Sequence, residues 1–189
     1  MQEIKNIISS SIQTKELVLQ DEVLLSNISK SIDVIEFAFK QNKKIWFCGN
    51  GGSAADAQHL AAEFTGRFYK NRKALPAEAL HCNSSYLTAV ANDYSFDVVY
   101  SRLIEGIGSE GDVLIAISTS GNSTNIINAI ETSNKIGITT IGFTGETGGK
   151  MKDISNILIN VPSSTTPRIQ ESHILIGHII CEIVESRLF

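Results

Sequence analysis

The sequence predicts an α/β fold: a three-layer sandwich whose five-stranded parallel sheet is covered by helices on both faces, preceded by a helical hairpin. Three observations carry that expectation. From Lys44 onward, short apolar runs alternate with helix-length segments, and strands joined by such crossovers form a parallel sheet buried on both sides. The first 42 residues contain neither Gly nor Pro and repeat apolar residues at helical spacing. The 189 residues are 42% hydrophobic and 19% charged, enough for one domain to bury a core without disulfides.

Taken in order, Ile4, Ile7, Ile8 and Ile12 form the stripe of a first helix, and Leu24, Ile28, Ile32, Ile35 and Phe39 that of a second. The break between them lies near Gln20-Asp21. Strands are expected at Ile45–Cys48, Ala77–Leu80, Val113–Ile117, Ile138–Phe143 and Ile157–Val161. Helices are expected near 53–65, 84–104, 123–136 and 168–188. Only three prolines interrupt the chain, with no linker or low-complexity tract. It therefore reads as a single domain, 1–189, with residues 1–42 used in packing or oligomerisation and 43–189 forming the α/β core.

Composition narrows the function. A net charge of −4 provides no basic surface for nucleic acid. No apolar run approaches the ~20 residues of a membrane span, and the first residues lack a signal-peptide pattern. Cys48, Cys82 and Cys181 are an odd set without Cys-x-x-Cys spacing, which reads as reduced thiols in the cytoplasm.

Two polar loops follow strands and open helices, where ligands of open parallel sheets bind. Ser118, Thr119, Ser120 and Ser123 place four hydroxyls before a helix whose free N–H groups favour an anion. No Gly-Lys-Ser/Thr ending and no G-x-G-x-x-G follows either strand, so a phosphate monoester suits the loop better than a nucleotide. The same residues equally suit a plain helix cap. Asn50-Gly51-Gly52-Ser53 allows close backbone approach to a ligand and equally allows a tight turn.

Titratable groups gather on two helices. His59 and Glu63 are four apart and share a face, with Asp56 near the same stripe among small alanines. An exposed ion pair is the simple alternative. The last helix carries Arg168, Gln170, Glu171, His173 and His178 in apolar surroundings. At about 100° per residue, Glu171 and His178 lie nearly in line, so geometry pairs those two, and a satisfied core histidine is the alternative role for His178. Arg67, Lys70, Arg72 and Lys73 either assist an anion or face solvent, with solvation the simpler account, and Trp46 and the phenylalanines read as core.

A set of motifs occurs in fixed order: Asn50-Gly51-Gly52-Ser53, Asp56-Ala57-Gln58-His59, Ala62-Glu63, Thr65-Gly66-Arg67, Asn92-Asp93, Ser118-Thr119-Ser120-Gly121-Asn122-Ser123, Gly148-Gly149-Lys150-Met151 and Arg168-Ile169-Gln170-Glu171. Together they resemble the sedoheptulose 7-phosphate (phosphoheptose) isomerases of the sugar isomerase (SIS) class, over essentially the whole chain. The resemblance implies a flavodoxin-like SIS sandwich, assembled as a homotetramer with sites at subunit interfaces. It implies conversion of sedoheptulose 7-phosphate to D-glycero-D-manno-heptose 7-phosphate through an enediol, the first step towards ADP- or GDP-heptose for bacterial lipopolysaccharide or capsule. It further implies that Asn50, Gly51, Gly52, Ser53, Glu63, Asn92, Asp93, Ser118, Thr119, Ser120, Ser123 and Gln170 contact the substrate. By the same resemblance, His59, Glu63, Gln170 and His178 hold one Zn²⁺ per subunit, and Glu63 and His178 are the acid/base pair. Pro167 stands where some members carry an acidic residue. Two other readings remain: an isomerase of another sugar phosphate, or a non-catalytic SIS scaffold for the replication initiator. The scaffold does not retain the acid/base pair that is present here.

Overall fold

The computed structural model describes residues 1–189. Helices α1 (Gln2–Gln20) and α2 (Glu22–Lys40) form the N-terminal hairpin. Asp21 separates them because its carboxylate accepts the backbone N–H groups of Val23 and Leu24 and so caps α2. Strands β1 (Ile45–Gly49), β2 (Ala77–Ala79), β3 (Val113–Ile117), β4 (Thr139–Thr144) and β5 (Ile157–Asn160) make one parallel sheet in the order β2-β1-β3-β4-β5. That is the flavodoxin-like order, which places ligands outside the strands' carboxyl ends at the β1/β3 switch point. β3 is buried at every position, as a continuous apolar run demands of a central strand.

Helices α3 (Gly52–Thr65) and α7 (Thr166–Leu188) join α2 over one face of the sheet, around Phe47, Phe64, Ile115 and Phe143. Helices α4 (Ser84–Asp93), α5 (Val99–Ile107) and α6 (Thr124–Lys135) cover the other, around Trp46, Tyr100, Leu114 and Ile130. The single helix expected over 84–104 is thus two. Tyr94 leaves helical geometry, and the Ser95 hydroxyl accepts the Asp97 N–H to start a 3-10 turn at Phe96–Val98. The β4–β5 crossover is likewise only a 3-10 turn, Gly149–Asp153. On α1, the stripe Ile4, Ile7, Ile8 and Ile12 is exposed within the single chain.

The core histidine of α7 is His173, not His178. Its Nε2–H donates to the Thr144 carbonyl at 3.0 Å, and its ring packs on Phe143. Burial drives its pKa from 6.5 down to about 4, against the opposing hydrogen bond to Thr144. The unfolded chain therefore takes up this proton near pH 6.5 and the folded chain only near 4. No penalty exists above the higher value, and one grows as pH falls through the window, reaching about 3 kcal/mol. Urea midpoints measured between pH 7 and 4 should fall steeply for the native chain and less steeply for His173→Gln. Parallel profiles would contradict this assignment.

Candidate functional site

Helices α3 and α7 pack side by side in the same direction, and Gly177 sets how close they come. A Cβ at Gly177 would lie 2.5 Å from Leu60 Cδ1, so only glycine lets that leucine seat against α7. The residues next to this contact, His59 and His178, are thereby brought together. Their Nε2 atoms are 3.4 Å apart, and His59 Nε2 lies 2.9 Å from Glu63 Oε1. The three donor atoms fall within 4.8 Å of one another. His59 and Glu63 are thus more than a surface pair, and His178 is only half-buried.

This set suits a metal. Two imidazole Nε2 atoms facing each other, with a carboxylate oxygen beside them, form an N/O group like those of zinc sites. Their 3.4 Å separation is close to the ~3.3 Å edge of a tetrahedron with ~2.0 Å metal–nitrogen bonds. Asp56 stands one turn before His59, and its Oδ2 is buried without a partner. Burial pushes its carboxyl up, while the His59 and His178 imidazoles pull it down.

The pairing of Glu171 with His178 is not formed. Seven residues separate them by about 10 Å along the helix axis. Glu171 turns instead to α1, accepting from Ser11 Oγ at 2.6 Å and pairing with Arg168 and Lys15. Gln170 lies over the start of α3, where its amide approaches Gly52.

The serine loop forms a recess of about 100 Å³ lined by Asn50, Ser53, Ser118, Thr119, Ser120, Ser123 and Gln170. Ser123 occupies the N-cap position of α6, yet its hydroxyl makes no cap hydrogen bond. Ser118 Oγ instead lies 3.1 Å from Ser123 Oγ and 3.5 Å from Ser120 Oγ, so the hydroxyls converge. A reciprocal amide pair, Asn50 with Asn125 at 2.9 Å in both directions, ties the β1 loop to α6. Asn125 was not legible as part of the site; its buried position arises only when the two loops meet. Gly51 and Gly52 lie exposed beside the recess. Asn92 and Asp93 are exposed at the end of α4 and do not line it.

A recess of about 410 Å³ lies elsewhere, between Lys44, Trp46 and Pro76 at the amino ends of β1 and β2. No cluster of titratable side chains converges there, so chemistry rather than size picks out the site. The sequence reading also missed Phe68, whose ring centroid is 5.7 Å from that of His178. No helix is long and apolar enough to cross a membrane.

Known proteins resemble this chain over nearly its whole length. The SIS domain family profile matches residues 9–145. The phosphoheptose isomerase of Clostridium acetobutylicum is 53% identical over 182 residues, covering 96% of this chain and 93% of its own. The structure of phosphoheptose isomerase GmhA from Neisseria gonorrhoeae superposes with a TM-score of 0.92 at 39% identity, covering 98% of both chains. A phosphoheptose isomerase from Francisella tularensis gives 0.93 at 33% identity, covering 98% of this chain and 97% of that one. The chain therefore belongs to the SIS domain family and, within it, to the phosphoheptose isomerases.

Proposed function

We propose that this protein interconverts sedoheptulose 7-phosphate and D-glycero-D-manno-heptose 7-phosphate, providing heptose for bacterial surface polysaccharide. The observation that carries the reading is the spacing of two chemistries on one pair of helices. Ser53 and Gln170 line the hydroxyl recess, while His59 and His178 lie six and eight residues further along the same helices, about 9 and 12 Å by helical rise. An extended seven-carbon phosphate ester separates its phosphate from its first two carbons on that scale.

In this reading Ser118, Thr119, Ser120 and Ser123 hold the phosphate, with Asn50, Gly51, Gly52 and Ser53 beside it. The non-reacting end thus fixes the orientation of the reacting end. Glu63 takes a proton from C1 to form the enediol and returns it to C2. His178 carries the hydroxyl proton from O1 to O2, so the carbonyl moves from C2 to C1 with no net proton change. His59, Glu63 and His178 would hold zinc, with Gln170, whose amide approaches Gly52, as the fourth ligand that the family resemblance implies. Zinc, when bound, polarises the carbonyl and stabilises enediolate charge.

The exposed isoleucine stripe of α1 supports assembly into a homotetramer, because an apolar surface of this kind marks an interaction site. Asn92 and Asp93 then contact substrate in a site shared between copies. The free cysteines fit the cytoplasm.

The test is NMR of the products formed from sedoheptulose 7-phosphate by the purified protein. The expected product is D-glycero-D-manno-heptose 7-phosphate, and its absence at high enzyme concentration would refute the reading. Treatment with a chelator should abolish turnover and added zinc should restore it; indifference to both would remove the metal from the mechanism.

A further inference from the structure

A buried ion pair joins the two helices that carry the reactive groups. The side chains of Arg72 and Glu185 are each only 2% exposed, with Nε and Oε1 2.9 Å apart. Arg72 is therefore not a solvated charge, as expected from sequence. Its Nη2 donates to the Glu63 carbonyl at 2.9 Å and its Nη1 to the Phe64 and Lys73 carbonyls at 2.7 and 3.0 Å. The Glu63 and Phe64 carbonyls lie in the last turn of α3, where helical partners run out and a cation is favoured.

Glu185, near the end of α7, also accepts three successive backbone N–H groups, from Phe68 at 3.0 Å, Tyr69 at 2.7 Å and Lys70 at 2.9 Å. Burial would raise its pKa, but these bonds and Arg72 outweigh it and hold the carboxyl below its usual range. The segment so gripped is the one that sets the Phe68 ring against His178. A buried ion pair is often no better for stability than apolar packing of the same volume. What it supplies is directionality: besides the pair itself and the Lys73 carbonyl, the named bonds end on the backbone of α3 or of the Phe68 segment.

We propose that Arg72 and Glu185 are positioning residues of the isomerase centre: they lock the turn carrying Glu63 and the segment carrying Phe68 onto α7, and so hold Glu63 and His178 in register. The proposal rests on the function proposed above. Neither residue touches substrate, so its effect is on turnover and on the joint affinity of His59, Glu63 and His178 for a metal.

Glu185→Gln keeps the shape and loses the charge; Arg72→Lys keeps a charge and loses the fork of donors. Phe68→Leu keeps the pair and removes the ring facing His178. For each variant that melts well above the assay temperature, kcat should fall about tenfold or more, as for outer partners of metal sites. KM for sedoheptulose 7-phosphate should stay within about twofold. Zinc affinity, read by competition with a chromophoric chelator, should weaken about tenfold. Folded variants with native kcat and native zinc affinity would reduce the pair to a structural brace and overturn the proposal. If both pair variants fail to fold, Phe68→Leu decides by the same two readouts. A native enzyme inert towards sedoheptulose 7-phosphate refutes the function instead, and zinc affinity alone then tests the pair.

Discussion

Glu63→Gln is expected to lower kcat by about 10³-fold, within the range for loss of a positioned acid or base, while KM changes little. The substitution is isosteric. The amide keeps a polar atom beside His59 Nε2, which lies 2.9 Å from Glu63 Oε1 in the native chain, so the α3–α7 packing has no reason to move. What is lost is a group that can take a proton from carbon, together with an anionic ligand for zinc, so the kinetics are measured with zinc in excess. Substrate affinity survives because the proposed phosphate contacts are hydroxyls on another loop. An interaction made only in the transition state lowers kcat and kcat/KM equally. Steady-state kinetics with sedoheptulose 7-phosphate checks this, and near-native turnover would exclude Glu63 as the base.

His178→Gln is expected to cost about 10²-fold in kcat, with a different isotope signature. The side chain still fills the space beside Phe68, but it cannot carry a proton between O1 and O2. Glu63 remains able to remove the C1 proton. In D₂O, His178→Gln should exchange deuterium into unreacted ketose faster than it forms aldose, whereas Glu63→Gln should show neither exchange nor product. Loss of exchange in both variants would mean that His178 is needed to form the enediol, not only to resolve it.

Most of the architecture was legible because its signals are local. Five apolar runs separated by helix-length segments leave few parallel topologies, and Asp21 marks its own helix boundary by capping. The failures came where short polar side chains competed with a regular element, as at Ser95, which splits the helix expected over 84–104. The site divides in the same way. The i,i+4 pair His59–Glu63 and the serine run can be read along one helix or one loop. The partner of His178 cannot, because a helical wheel gives direction without rise and is blind to the Ser11 and Lys15 side chains that draw Glu171 away. Arg72 was misread for a related reason: nothing near it in sequence announces a buried carboxylate 113 residues later.

The wall behind the serine loop is built from glycines whose backbones touch. Gly121 and Gly149 both have positive φ; a Cβ on Gly121 would sit 2.1 Å from the Gly148 carbonyl oxygen, and one on Gly149 would sit 2.5 Å from that of Ser120. A single methyl has nowhere to go on either side. Drift in ligand preference must therefore proceed by exchanging hydroxyls along the rim, while the backing stays frozen, since altering either half collides with the other.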